Sequence, residues 1–198
     1  MDTMSDLPLG LRDPVHDAQA AFRAALRALS RPGEPVSYPI SGPPVAGLMP
    51  ATAALLLALT DHETPVWWNH DGPLRWLRFH TGAPAVTEPG QALFGVVRAG
   101  GAAALLTQFN PGTDAQPERS ATVLIELPAL CGGSAVQWSG PGLREPVVRR
   151  LAGLPAGFWR QWSNNHGLFP GGVDVLFTCG HDIVGLPRTT RAIEREDC

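Results

Sequence analysis

The chain has 198 residues, a formal charge of −3 and an apolar content of 44%, the balance of a globular protein with no charge excess to drive non-specific nucleic-acid binding. Its 15 basic residues are all arginine, which excludes chemistry that needs a lysine amine. That rules out an internal Schiff base to pyridoxal phosphate, a Gly-Lys-Ser/Thr phosphate loop and the strand lysine of kinases.

Residues 1–198 read as a single domain, with an ordered core over about 13–191. A domain of this length buries roughly 70% of its unfolded surface, enough for a core without disulfides or metals. The longest apolar run, residues 53–59, is too short to span a bilayer. The first ten residues lack the basic and apolar regions of a signal peptide. Cys131, Cys179 and Cys198 are odd in number and far apart, so the expectation is a cytoplasmic protein with reduced thiols, no membrane contact and no nucleic-acid partner.

Along the chain, Asp13 suits a helix N-cap and Pro14 the first helical turn. Val15, Ala18, Phe22, Leu26 and Leu29 follow at helical spacing, predicting a helix over residues 13–30 that docks through this stripe and stops at Arg31-Pro32-Gly33. Burial of Phe22, Leu26 and Leu29 would contribute ~1.5–3 kcal/mol each. Residues 36–40 form a short strand that Pro39 confines to an edge or a strand end. ATAALLLALT, residues 51–60, is apolar all round and predicts a helix buried between a sheet and another layer.

Trp67-Trp68 and residues 77–81 and 93–97 read as strands, and residues 102–106 as a small-residue helix. Residues 121–127 are β-branched and apolar, hence a central strand. Residues 136–139 give another strand before a Gly-Pro-Gly turn. Two helices follow, over 145–151 and 158–163, then a hairpin of residues 173–179 and 183–186 across Gly180-His181. The charged tail, residues 191–198, is expected to fray. Strands alternating with helices make the class α/β, a central mixed sheet flanked by helices.

Few residues stand out as chemistry. Asp61-His62-Glu63 is better explained as a turn after the second helix than as a ligand cluster, because adjacent residues do not close one shell. His62, His70 and His80 are too widely spaced for a local metal site, Cys179-x-His181 is a weak ligand pair, and no zinc pattern exists, so no metal is expected. His80, at the end of a predicted strand, either faces a cleft or is a satisfied half-buried histidine. Arg119, in the turn before the central strand, either clamps an anion or pairs with Glu118 or a carbonyl. Ser139-Gly140-Pro141-Gly142 lacks the dinucleotide fingerprint and reads as a plain turn.

Arg188, Thr189 and Thr190 offer a guanidinium beside two hydroxyls, suited to a phosphate, a phosphonate or a partner's carboxylate; the alternative is a surface segment docked through Leu186. Cys131 and Cys179 read as inert thiols.

Five ordered segments resemble one family: FRAALRALSRPG (22–33), LLLALTDHETPVW (55–67), FHTGAP (79–84), GTDAQPERSATVLIEL (112–127) and FPGGVDVLFTCGHDIVGLPRTTR (169–191), with SGPGL (139–143) between the last two. Together they are similar to the PhnH subunit family of the bacterial carbon–phosphorus lyase system. The resemblance implies phosphonate catabolism, and a homodimer that works with other lyase core subunits. In that complex a phosphonate displaces adenine from a nucleoside triphosphate to give a ribose 1-phosphonate 5-triphosphate. It also implies a fold similar to pyridoxal-phosphate-dependent transferases without their cofactor site, so no cofactor is expected. It supplies no catalytic residue. The competing readings are a stand-alone binder or transferase acting on a phosphorylated small molecule through Arg119, His80 and Arg188, and a thiol enzyme built on Cys131 or Cys179.

Overall fold

The computed structural model describes residues 7–38, 45–99 and 106–195. Helix α1 (Pro14–Ser30) starts where the sequence places it. The Asp13 carboxylate accepts from the amides of Val15 at 3.2 Å and His16 at 3.1 Å, and the His16 hydrogen bonds hold its pKa below the usual aspartate value. The buried face is not the predicted one. Ala21, Ala24, Ala25 and Ala28 face the core, while Phe22 and Leu26 stay 47% and 52% exposed. The reason lies beneath the helix, where a Cβ on Gly185 would sit 2.3 Å from the Ala28 carbonyl oxygen. At that closeness only alanines fit between helix and sheet, so the large side chains turn outward.

Strand β1 (Val36–Ser37) follows at the sheet edge, as Pro39 suggests; of the rest of that predicted strand, Tyr38 is buried just beyond it and residues 39 and 40 lie outside the described ones. Helix α2 (Pro50–Leu59) is buried over Ala51 to Leu56, as its all-round apolar character predicts. Strand β2 (Val66–Trp68) comes next. Residues 77–81, read as a strand, belong instead to helix α3 (Leu74–Thr81). There Trp76, Leu77 and His80 share one side, and Gly82 closes the helix at φ 77°, a left-handed conformation that glycine supplies without strain.

Strands β3 (Phe94–Arg98) and β4 (Thr122–Glu126) follow, β4 being central as expected. The helix predicted over 102–106 lies outside the described residues except for Leu106, which opens a short 3-10 turn. Strand β5 (Val136–Ser139) pairs with β6 (Val147–Arg149) rather than with the main sheet. The helix predicted over 145–151 is therefore a strand, its paired valines being stiff at χ1 and favouring extended backbone. Helix α4 (Phe158–His166) is as read and buries Trp159 and Trp162. Strands β7 (Asp174–Cys179) and β8 (Asp182–Leu186) form the expected hairpin. The tail predicted to fray instead adds β9 (Arg191–Glu194) to the small sheet, with Ala192 buried against Trp138 in register.

The main sheet is mixed, in the order β1-β8-β7-β4-β3-β2, with β2, β3, β4 and β7 parallel and the hairpin partner β8 antiparallel. Alternate residues of each strand serve different layers. Val66, Val96, Leu124 and Leu176 pack with α1, α2 and α3. Val97, Val123, Ile125, Val175 and Phe177 pack with Trp138, α4 and the 3-10 turn at Leu106. Fully buried Leu55, Leu56, Leu124 and Leu176 each contribute ~1.5–3 kcal/mol. Among the described residues no helix is long and apolar enough to cross a membrane.

Candidate functional site at the strand ends

In parallel α/β sheets a crevice opens at the carboxyl ends of adjacent strands whose connections leave to opposite faces. Here α3, which follows β2, packs on the first face, and the segment after β3 returns through Leu106 and Phe109 on the second. The ends of β2 and β3 are therefore the switch point, and four polar residues converge beside it: Asn69, His70, Arg98 and Glu126.

Glu126 is the sole charged residue inside the apolar β4 and is 2% exposed. Its carboxylate accepts from the Met49 amide at 2.7 Å, at the N-cap of α2, where no side chain of the helix itself caps. The helix dipole favours negative charge there. Its other oxygen lies 3.5 Å from Nε of Arg98, which also donates through Nη2 to the Gly47 carbonyl.

Asn69 joins the two strand ends: its amide oxygen accepts from the Arg98 backbone N–H at 2.9 Å, and its amide nitrogen donates to the Arg98 carbonyl at 3.3 Å. The same oxygen lies 2.9 Å from Nδ1 of His70. An amide oxygen only accepts, so the proton belongs on Nδ1 and Nε2 carries the lone pair. Nε2 is buried, with no hydrogen-bond partner of good geometry among the described residues. Burial, and then the nearby Arg98 charge, push the His70 pKa below the usual histidine value. Beyond Glu126, the Thr52 and Thr178 hydroxyls meet at 2.8 Å and bind α2 to β7. The arrangement presents one exposed guanidinium, suited to holding an anion, with the His70 imidazole buried behind it.

The residues singled out from the sequence do not form one site: Arg188 reaches the turn that carries Arg119, while His80 stands apart from both. His80 lies on α3 on the first face, half-buried, with Nε2 3.1 Å from the Pro8 carbonyl and its ring against Trp76 and Phe79. It anchors the chain's entry to α1. Arg188 sits in the connection between β8 and β9, where protein groups engage all three of its guanidinium nitrogens. Its Nη2 and Nε donate to Asp174 at 2.6 and 3.2 Å, Nη1 donates to the Pro117 carbonyl at 2.9 Å, and Nη2 also meets the Ser120 hydroxyl.

Thr190 is fully buried, and its carbonyl accepts from Trp162 Nε1 at 2.9 Å. Thr189 is half-buried, and Arg119 is exposed at the end of the short turn Pro117–Arg119.

Asp61 forms a turn, accepting from the Glu63 amide at 2.9 Å and the Thr64 hydroxyl at 2.7 Å. Cys179 donates to the Pro128 carbonyl at 3.5 Å. Cys131 is exposed and lines an open groove of about 380 Å³ with Arg149 and Arg150. Cys198 is outside the described residues. Among those residues no three His, Cys, Asp or Glu side chains converge as a metal shell would require.

A profile described as "Bacterial phosphonate metabolism protein (PhnH)" matches residues 9–193, which takes in every element above except Glu194, the last residue of β9. The chain belongs to the PhnH family. One PhnH relative, from Rhizobium meliloti (strain 1021), is 36% identical over 188 residues, covering 93% of this chain and 94% of its own, and is named "Alpha-D-ribose 1-methylphosphonate 5-triphosphate synthase subunit PhnH". Another, "Putative C-P lyase subunit protein HtxG" of Stutzerimonas stutzeri, is 28% identical over 172 residues, covering 87% of this chain and 84% of its own.

No local spacing collects the strand-end cluster, although two signals of it stand in the sequence. One is a lone glutamate closing an apolar central strand. The other is Asn-His-Asp-Gly directly after the Trp-Trp strand.

Proposed function

We propose that this chain is the PhnH-type subunit of a carbon–phosphorus lyase complex. In that role it supports formation of a ribose 1-phosphonate 5-triphosphate from a nucleoside triphosphate and a phosphonate. The near full-length match to a subunit of α-D-ribose 1-methylphosphonate 5-triphosphate synthase carries the reading. The partners are the other core subunits. Self-association as a homodimer, a cytoplasmic location and a fold related to pyridoxal-phosphate-dependent transferases complete it. With no lysine in the chain, that fold relationship is one of architecture and not of Schiff-base chemistry.

The engagement of His80 and Arg188 by protein groups favours a subunit that positions over a stand-alone transferase built on them. Any phosphate or phosphonate of the substrate falls instead to the strand ends, where Arg98 is exposed beside His70. Affinity-tagged chain expressed with the remaining lyase subunits tests the reading. Stoichiometric recovery of those subunits is expected, and recovery of the chain alone would overturn it.

A further inference from the structure

Helix α1 is inside out by size. Its core-facing side is alanine, and its large apolar residues lie in one outward stripe, with Val15 61%, Phe22 47% and Leu26 52% exposed. The spacings of seven and four residues keep the stripe straight over roughly 16 Å of helix, and Leu29 beyond it packs partly against the core. This is the anchor pattern of a helix that seats in an apolar groove. Leaving such side chains in water forfeits stabilisation that a partner surface would recover.

The charges beside the stripe decide what kind of partner. Arg23 and Arg27 lie together on its open flank, Arg23 bonded among the described residues only to Gln19 at 3.1 Å. The carboxylate near this flank, Glu34, is already shared by Arg27 at 2.9 Å and Arg31 at 3.5 Å. A two-fold contact between copies sets one patch against itself. In an antiparallel two-fold pair of α1 helices that would press arginine flank on arginine flank; in a parallel pair the arginines would face the flank of Ala18 and Leu29, and neither arrangement supplies them a carboxylate. A different surface, apolar with carboxylates along one rim, matches both features.

Resting on the subunit reading above, we infer that the outward face of α1 is the docking surface for another lyase subunit, one presenting an apolar groove edged by acidic side chains. Val15, Phe22 and Leu26 fill the groove, and Arg23 and Arg27 meet the acidic rim.

The test compares wild type, the double variant Phe22→Asp/Leu26→Asp and the single variant Arg23→Glu, each tagged and co-expressed with the remaining lyase subunits. All three substitutions are at exposed positions, and each isolated protein is checked by thermal unfolding and solution mass. The double variant is expected to lose the other subunits while its isolated mass and melting match wild type. Arg23→Glu, which leaves the stripe intact, should weaken association by about tenfold at low salt and by less at high salt. Double variant and wild type recovering the same subunits would overturn the docking face alone. A double variant whose isolated mass falls would also overturn it, assigning the face to a second copy. Wild type recovering no subunit would overturn the subunit reading and the inference with it.

Discussion

Glu126 at the end of β4 accepts a hydrogen bond from the Met49 amide at 2.7 Å, so a residue of the sheet caps a helix that lacks a cap of its own. The bond fixes the start of α2 over the ends of the parallel strands, and with it the position of Arg98 and His70. Glu126→Ala should cost ~1–3 kcal/mol in urea unfolding, because it strands a partly buried amide and removes the charge at the helix N-terminus. Glu126→Gln keeps an acceptor and should lose about half as much. The ion pair with Arg98 contributes little to either figure, since that guanidinium is 44% exposed and screened by solvent.

Arg188 makes the opposite prediction from a ligand contact. Its side chain and that of Asp174 are 15% and 19% exposed, and together they rivet the β8–β9 connection to the turn before β4. Arg188→Ala should destabilise the protein by ~3–5 kcal/mol through the carboxylate left without its partner. Arg188→Lys should recover only part of that, since an ammonium does not reproduce the fork. Chemical denaturation of both variants measures this. A full loss of ligand or subunit binding at unchanged stability would instead make Arg188 a contact residue.

His70 sets an acid limit. Its folded pKa is depressed, so the unfolded chain binds the proton more readily. The stability contribution is therefore complete above the ordinary histidine value of ~6.5 and declines as pH falls below it towards the folded pKa. Arg98 strengthens the effect, while the charges of Glu126 and Asp71 oppose it. Urea midpoints measured across this range should fall for wild type and flatten in His70→Gln.

Gly185 tests why α1 is inverted. A Cβ there would meet the Ala28 carbonyl oxygen at 2.3 Å and carbon at 2.4 Å, both backbone of a long helix that does not yield cheaply. Gly185→Ala should cost ~1–3 kcal/mol, read as a lowered thermal midpoint.

Legibility followed whether a residue's neighbours in sequence are also its neighbours in space. The N-cap of α1, the buried α2, central β4 and the β7–β8 hairpin rest on local patterns and were visible. The α1 face departs from its local pattern because its alanines answer to Gly185, more than 150 residues away. Residues 145–151 were misread because β6 is fixed by pairing with β5, and the tail because β9 is fixed by the same strand. The strand-end cluster joins residues 69, 98 and 126 with the backbone at 47 and 49, a set that no spacing rule collects.

The most direct measurement is reconstitution of the synthase reaction from purified subunits with a nucleoside triphosphate and methylphosphonate, followed by phosphorus NMR. The account predicts that the phosphonate resonance moves to that of the ribose 1-methylphosphonate product when this chain is present. It also predicts that product formation is lost when the chain is omitted and returns when it is added back. Equal product without the chain, or product from the chain alone, would contradict it.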